Sequence, residues 1–344
     1  MVKMGLRTYL LKRTINTFIL VCFVITLNFF IFQLLPGTSG IIANLIQNPK
    51  VHNPDLIQKY EVLYGICQSF VNGNCVPAST WDRFSKYFVN MLTFQFGNSY
   101  HTGNSITHDM ISTGRLANTL LLLGVSTTVA LLIGLLLGVL TAAKRGSAFD
   151  TGSVTASLVT FSLPTFWMGL LAIFIFAQTL RWFPGGGVSP NSWISGTPPI
   201  LEQIAVRTQY LFLPAAVLTL YFYGGNLLLT RATVMMELNS DYITTARAKG
   251  LPERTVLFKH ALKNASLPIV TNAALAFGGL LGGAIITETI FNWDGLGFWI
   301  FASISSKDIP VMQAMFYLIA LCVIAANFMS DILYGVLDPR IRYE

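Results

Sequence analysis

Charge is what this sequence has least of. Only 11% of its 344 residues are Asp, Glu, Lys or Arg, while 53% are hydrophobic; an ordinary soluble domain is about 25% charged. A soluble fold needs a charged surface around its core, so the deficit excludes one. Short segments of period-two alternation are also missing, which argues against a membrane β-barrel. No G-x-x-x-x-G-K-[ST] occurs, so the chain has no phosphate cradle of its own. It likewise lacks H-E-x-x-H, a G-x-S-x-G elbow and a usefully spaced carboxylate pair. His52, His101, His108 and His260 are scattered, and no metal site is expected. Cysteine is scarce too. Cys22 and Cys322 fall inside apolar runs and read as packing residues, whereas Cys67 and Cys75 lie in the first long loop. If that loop is extracytoplasmic, the pair can form a disulfide, and no metal spacing fits it better.

What the sequence does have is long apolar runs. Six stand out, at about 14–35, 117–143, 154–180, 210–230, 269–290 and 313–337. Each approaches the ~20 residues needed to cross a hydrocarbon core, and in lipid such runs must be helices. The fold class is therefore all-α integral membrane, with six transmembrane helices. The first run follows Lys3, Arg7, Lys12 and Arg13 and is too long for a signal peptide's apolar region, so it reads as an uncleaved anchor closed by Pro36-Gly37.

The formal charge is +7. No basic patch interleaved with base-stacking aromatics appears, so nucleic acid is not expected as a partner. The cations instead flank the runs. With the N-terminus in the cytoplasm, the segments 1–13, 144–153, 231–268 and 338–344 hold 14 of the 22 basic residues in about 68 positions. The external segments 36–116, 181–209 and 291–312 hold 8 in about 132. By the positive-inside rule the orientation is N-in/C-in. The chain thus divides into a tail and first span (1–35), an extracytoplasmic lobe (36–116), and a five-helix core (117–344) carrying a cytoplasmic loop at 231–268.

In the lobe, Asn53-Pro54-Asp55 predicts a helix to about Tyr64. A second begins near Ser79 with Asp82 three residues on, its apolar face set by Trp81, Phe84, Phe88, Met91 and Leu92. That face suits either the membrane surface or the core of a small lobe. Gly134 and Gly138, then Gly278, Gly279, Gly282 and Gly283, form small-residue stripes that permit close helix approach. In the loop, Asp241 is expected to cap a short helix ending at Gly250, a residue suited to a left-handed stop. A second helix follows Pro252 with Val256, Leu257, His260, Ala261 and Asn264 on one side. The result is a compact helix–turn–helix knob fitted for docking on a soluble partner. Among intramembrane polar residues, Glu288 and Asn272 are candidates for a substrate path or gate, with a structural cap an equal reading for Glu288. Asp331 is expected to pair with Arg231 or Arg247. Asn226, Asn272 and Asn327 read more simply as interhelical hydrogen-bonders.

Several strings then converge on one family. Asp241-Tyr242-Ile243-Thr244-Thr245-Ala246-Arg247-Ala248-Lys249-Gly250-Leu251 resembles the EAA loop of ABC importer permeases, in the A-R-A-K-G form of the peptide/nickel/oligosaccharide branch. In the order of that branch come Leu35-Pro36-Gly37, Lys144-Arg145-Gly146-Ser147 with Asp150, Leu163-Pro164-Thr165-Phe166-Trp167-Met168-Gly169 and Trp182-Phe183-Pro184. Glu288-Thr289-Ile290-Phe291 with Gly295-Leu296-Gly297, and Leu337-Asp338-Pro339-Arg340-Ile341-Arg342, complete the set. Thr244-Thr245 replace the generic Glu-Ala, and Thr38-Ser39 depart from the usual residues after Pro36-Gly37.

The resemblance implies a type I ABC importer permease fold in a prokaryotic inner membrane. It also implies four kinds of neighbour: a second homologous permease, two ATPase subunits, an extracytoplasmic binding protein and membrane lipid. ATP and Mg would sit on the partner ATPases, with no cofactor on this chain and no enzymatic activity of its own. Asp241, Tyr242, Thr245, Ala246, Arg247, Ala248, Lys249, Gly250 and Leu251 would be the ATPase-coupling segment, and peptide or oligosaccharide the cargo. The reading from another class is a self-contained secondary transporter or channel, which would require paired broken helices at mid-membrane.

Overall fold

The computed structural model describes residues 6–34, 67–71, 74–190, 192–193, 198–278 and 284–337. The helix expected at 53–64 and the glycines at 279, 282 and 283 lie outside them.

Among the described residues, four helices are long and apolar enough to cross a membrane. Helix α1 (Leu6–Phe29) runs on as a wider π-type turn to Leu34. It exposes Leu11, Phe18, Ile19 and Phe23 on its outside and buries Ile25 and Phe29. After a β1–β2 hairpin (Cys67–Val71, Asn74–Pro77) come α2 (Thr80–Leu92) and α3 (Ile106–Ser112), then α4 (Arg115–Ala143). The third apolar run is not a single rod. It divides into α5 (Ala148–Ser162) and α6 (Thr165–Ala172, extended by a π-type turn to Thr179), which meet at 98°. The cause is Pro164. It drives the preceding Leu163 out of helical geometry, to φ −76° and ψ 134°. The fourth run proves longer than its apolar stretch: α7 spans Ile200–Leu238. The fifth is represented by α10 (Leu262–Gly278) and the short α11 (Ile285–Ile290), and the sixth by α13 (Ile309–Leu337).

Helix α4 packs along α7, and here its glycines act. A Cβ at Gly134 would stand 2.5 Å from the Asn226 Cβ and 3.0 Å from the Leu227 nitrogen; one at Gly138 would stand 2.5 Å from the Thr230 Cβ. Only glycine admits that approach. A second core lies where α1, α2, α3 and α13 meet, around Ile25, Phe29, Tyr87, Met91, Ile106, Met315 and Tyr317. The predicted α2 is therefore no free surface helix: Met91 is buried and Phe84 and Phe88 pack on this core, while Trp81 and Leu92 face outward. Ser79 caps it as expected, accepting the Asp82 N–H at 3.1 Å.

Polar contacts fix the ends. Arg13 pairs with Asp331 at 3.0 Å, which sets the first turns of α1 beside the last turns of α13. This corrects the expected Asp331 partners. Arg231 is instead held by Asp150 through bonds of 2.6 and 2.9 Å, and Arg247 by Glu253. Sequence distance misled here: the α1–α13 pairing puts the nearest cation 318 positions away. Cys67 and Cys75 occupy opposite strands of the hairpin; Cys67 is disulfide-bonded, while Cys22 and Cys322 are free.

Overpacking the α4–α7 seam provides a test. Gly134→Leu should cost about 1–3 kcal/mol and lower the melting temperature of the purified protein in detergent; an unchanged melting temperature would contradict the seam.

Candidate functional site: a helical knob and a capped plate

The segment after α7 folds as anticipated, with one correction. Ser240, not Asp241, takes the N-cap position (φ −80°, ψ 149°), and Asp241 is the first helical residue of α8 (Asp241–Ala248). There its carboxylate still complements the helix dipole. Gly250 has φ +74°, the left-handed stop that a side chain disfavours. Around it the Lys249, Gly250 and Leu251 N–H groups return to the carbonyls of Thr245, Arg247 and Ala246. Pro252 then opens α9 (Glu253–Thr255), which widens into a π-type turn over Val256–Ala261 and continues as α10.

The knob has two sides. Ile243, Ala246, Val256 and Ala261 are buried together, with Leu238, Tyr242 and Leu251 packed around them. Thr244, Thr245, Arg247, Ala248 and Lys249 are exposed. His260 is half-buried and Asn264 exposed, so the expected inner side of α9–α10 is narrower than its spacing suggested. Tyr242 donates to Glu237 at 2.5 Å, joining α8 to the end of α7; burial and that carboxylate push the phenol pKa up. Arg247 donates to Glu253 at 2.6 Å across the turn, and the bond holds the Glu253 carboxyl below the usual range and the guanidinium above it.

The turn between α4 and α5 is built with equal care. Gly146 has φ +77° and gives its N–H to Asp150 at 3.0 Å, while Ser147 accepts the Asp150 N–H at 3.2 Å. This reciprocal cap opens α5. The buried Asp150 then takes the Arg231 fork of α7, tying the start of α5 to the knob-proximal part of α7.

At the other end of the core, Glu288 in α11 is 0% exposed. Its carboxylate accepts the Thr119 hydroxyl at 2.7 Å, the Phe298 N–H at 2.9 Å and the Gly297 N–H. Thr119 in turn accepts the Leu296 N–H at 2.8 Å. Together they satisfy the opening N–H groups of α12 (Leu296–Ser305), which water would otherwise have to reach. The Gly-Leu-Gly spacing follows directly. A Cβ at Gly295 would lie 2.5 Å from both the Glu288 and Thr119 oxygens, and one at Gly297 2.7 Å from the Ile285 Cα. The Trp182-Phe183-Pro184 loop closes on the same plate: Phe183 stacks on Phe212 at 4.3 Å, and the Gly187 N–H reaches the Phe291 carbonyl at 2.8 Å. Asn272 donates to Asn226 at 2.9 Å, linking α10 to α7 as an interhelical hydrogen-bonder.

Arg83 and Asp308 were missed in the sequence. Asp308 accepts from Ser99, Tyr100 and His101 and so anchors the loop before α3. Its sequence context, Ser305-Ser306-Lys307-Asp308 before Ile309-Pro310, reads as an ordinary polar turn and carries no signal of that role.

Residues 134–343 match the family described as binding-protein-dependent transport system inner membrane component. The chain belongs to that family. It is 36% identical over 335 residues to the oligopeptide transport system permease protein AppB of Bacillus subtilis, covering 97% of this chain and 99% of that one. It is 38% identical to the di/tripeptide transport system permease protein DppB of Pseudomonas aeruginosa, over 77% of this chain and 81% of that one. The dipeptide transport system permease protein DppB of Escherichia coli is 34% identical, again over 77% and 81%. This family member is a multi-pass inner-membrane transport permease, as the motif resemblance implied. The self-contained carrier reading is not favoured.

Two measurements test these sites. Gly295→Ala should destabilise the protein by about 1–3 kcal/mol through overpacking. Gly225→Ala, where a Cβ meets nothing within 4 Å, should be neutral or raise the melting temperature. Equal effects would sink the plate argument. For the Arg247–Glu253 pair, the Glu253 pKa is depressed in the fold. Its contribution is present above the unfolded carboxylate pKa and fades as pH falls through the lower folded value. Both partners are about half exposed, so screening limits it to about 0.5 kcal/mol. Protection factors across α8, taken from hydrogen exchange after correction for the intrinsic slowing of exchange at low pH, should fall slightly on acidification in the wild type but not in Glu253→Gln.

Proposed function

We propose that the chain is the membrane subunit of an ATP-driven importer whose cargo is peptide, delivered by an extracytoplasmic binding protein. In this reading it pairs with a second permease and is driven by two ATPase subunits that bind ATP and Mg. The single observation that carries it is the knob of residues 241–251, a short helix with an exposed cationic face on a buried apolar base. The basic bias of the inner segments supports six spans, N-in and C-in, with the knob in the cytoplasm. The names of the relatives support peptide over oligosaccharide.

The mechanism is mechanical. An ATPase groove takes the face of Thr244, Thr245, Arg247, Ala248 and Lys249. Because Ile243, Ala246 and Tyr242 fasten α8 to the end of α7 and to α9, a displaced groove carries α7 with it. Asp150–Arg231 passes that movement to α5, and the glycine seam passes it to α4. Two arrangements of the permease pair then alternate with the nucleotide state. Glu288 serves as the fixed staple of the outer plate and Asn272 as a link between helices; neither is assigned to peptide contact. A Cys67–Cys75 disulfide is consistent with an oxidising outer compartment.

Gly250→Val forces a β-branched residue into φ +74°, at a cost of about 1–2 kcal/mol. Gly250→Asn tolerates that region better. In the reconstituted importer, Val should lower peptide uptake per ATP hydrolysed and Asn should recover much of it. Wild-type uptake and coupling in Gly250→Val would overturn the assignment of the knob.

A further inference from the structure

At the end of α1 remote from Arg13 and Asp331 lies a cavity of about 250 Å³ whose lining includes Gln33, Arg83, Lys86, Tyr87, Asn90 and Gln313. Two cations and several amides converge there, and no acidic residue is among its lining. Arg83 is 9% exposed. One of its terminal nitrogens donates to the Gln33 carbonyl at 3.1 Å and to the Gln33 side chain at 3.3 Å. Among the described residues its Nε has no partner, and neither has the hydroxyl of Tyr87, which is 7% exposed. Burial lowers the Arg83 pKa, as expected for a cation removed from water. A buried guanidinium is tolerable when an acceptor anion completes it. The coupling machinery has no use for it.

The surroundings say which anion. Gln33 closes the last turn of α1 and Gln313 lies in the first turns of α13, so the cavity sits at one rim of the helix pair. The opposite face of α2 turns Trp81, Val89 and Leu92 outward, and Phe94 follows, all among the exposed large apolar side chains. A polar, cationic recess on one face of a helix whose other face is exposed and apolar suits the boundary between headgroups and acyl chains.

We propose that this recess binds the phosphodiester headgroup of an anionic phospholipid in the outer leaflet, with Arg83 and Lys86 as its cationic contacts and the Tyr87 hydroxyl as a further donor. The choice of leaflet rests on the N-in orientation of the proposed function.

The test uses the complete permease complex in mild detergent, with bound lipid read by native mass spectrometry. The probes are dioleoylphosphatidylglycerol, dioleoylphosphatidylcholine, and glycerol phosphate as a headgroup without chains. One phosphatidylglycerol per chain should be retained in preference to phosphatidylcholine. Lys86→Gln, at an exposed position, should weaken it several-fold and Arg83→Gln by about tenfold or more, the range expected on losing a charge-assisted hydrogen bond. Arg83→Lys should retain part of the affinity. Unchanged binding in both Gln variants overturns the proposal. Glycerol phosphate binding as tightly as the lipid overturns the lipid source, and displacement of the lipid by stoichiometric binding protein assigns the recess to a protein carboxylate instead. Because the readout is lipid and not uptake, intact lipid binding beside a failed Gly250 experiment would count against the proposed function alone.

Discussion

A hydrocarbon environment offers no hydrogen bonds, and two departures from straight helix in this protein answer that constraint directly. Where α11 gives way to α12, the freed N–H groups meet Glu288 and Thr119. Where α4 turns into α5, Gly146, Ser147 and Asp150 exchange bonds with one another before Asp150 takes the Arg231 fork. The recurring strings around Gly-Leu-Gly and Lys-Arg-Gly-Ser are therefore solutions to backbone accounting. Their glycines stand where a Cβ or a negative φ would break the solution.

The two ends of the core use this constraint differently. The plate is over-determined: Glu288 is bonded on both oxygens, and Trp293 donates to the Asn118 carbonyl at 3.0 Å. Arg115 reaches Asp294 while lying 4.6 Å over the Trp299 ring. The knob is lightly tethered, through one apolar base and the part-buried Tyr242–Glu237 bond. Its face of Thr244, Thr245, Arg247, Ala248 and Lys249 is left exposed, as the proposed coupling requires.

Much of this was legible in the sequence. Helix-length apolar runs need only hydropathy, and the stop at Gly250 and the start at Ser79 follow from residue types with narrow conformational roles. The single bend in the third run was legible in principle at Leu163-Pro164, but an unbroken apolar run hides a proline's effect on its neighbour. Partners were harder. Asp331 finds Arg13 because α1 lies against α13, a fact of tertiary arrangement that no local pattern encodes. The recess around Arg83 was invisible for the same reason: its lining comes from α1, from the stretch beginning with α2, and from α13. The length of α7 beyond its apolar stretch was missed because polar residues at both its ends read as loop.

That length has a geometric consequence. Downstream of Pro214, α7 runs without a further proline to Leu238, a stretch of 24 residues and about 36 Å. The knob is attached at its tip, so a rotation of about 10° around the proline end sweeps that tip through about 6 Å. Under the proposed coupling the helix is a lever arm, and its length is set by where the imino acid falls in the chain.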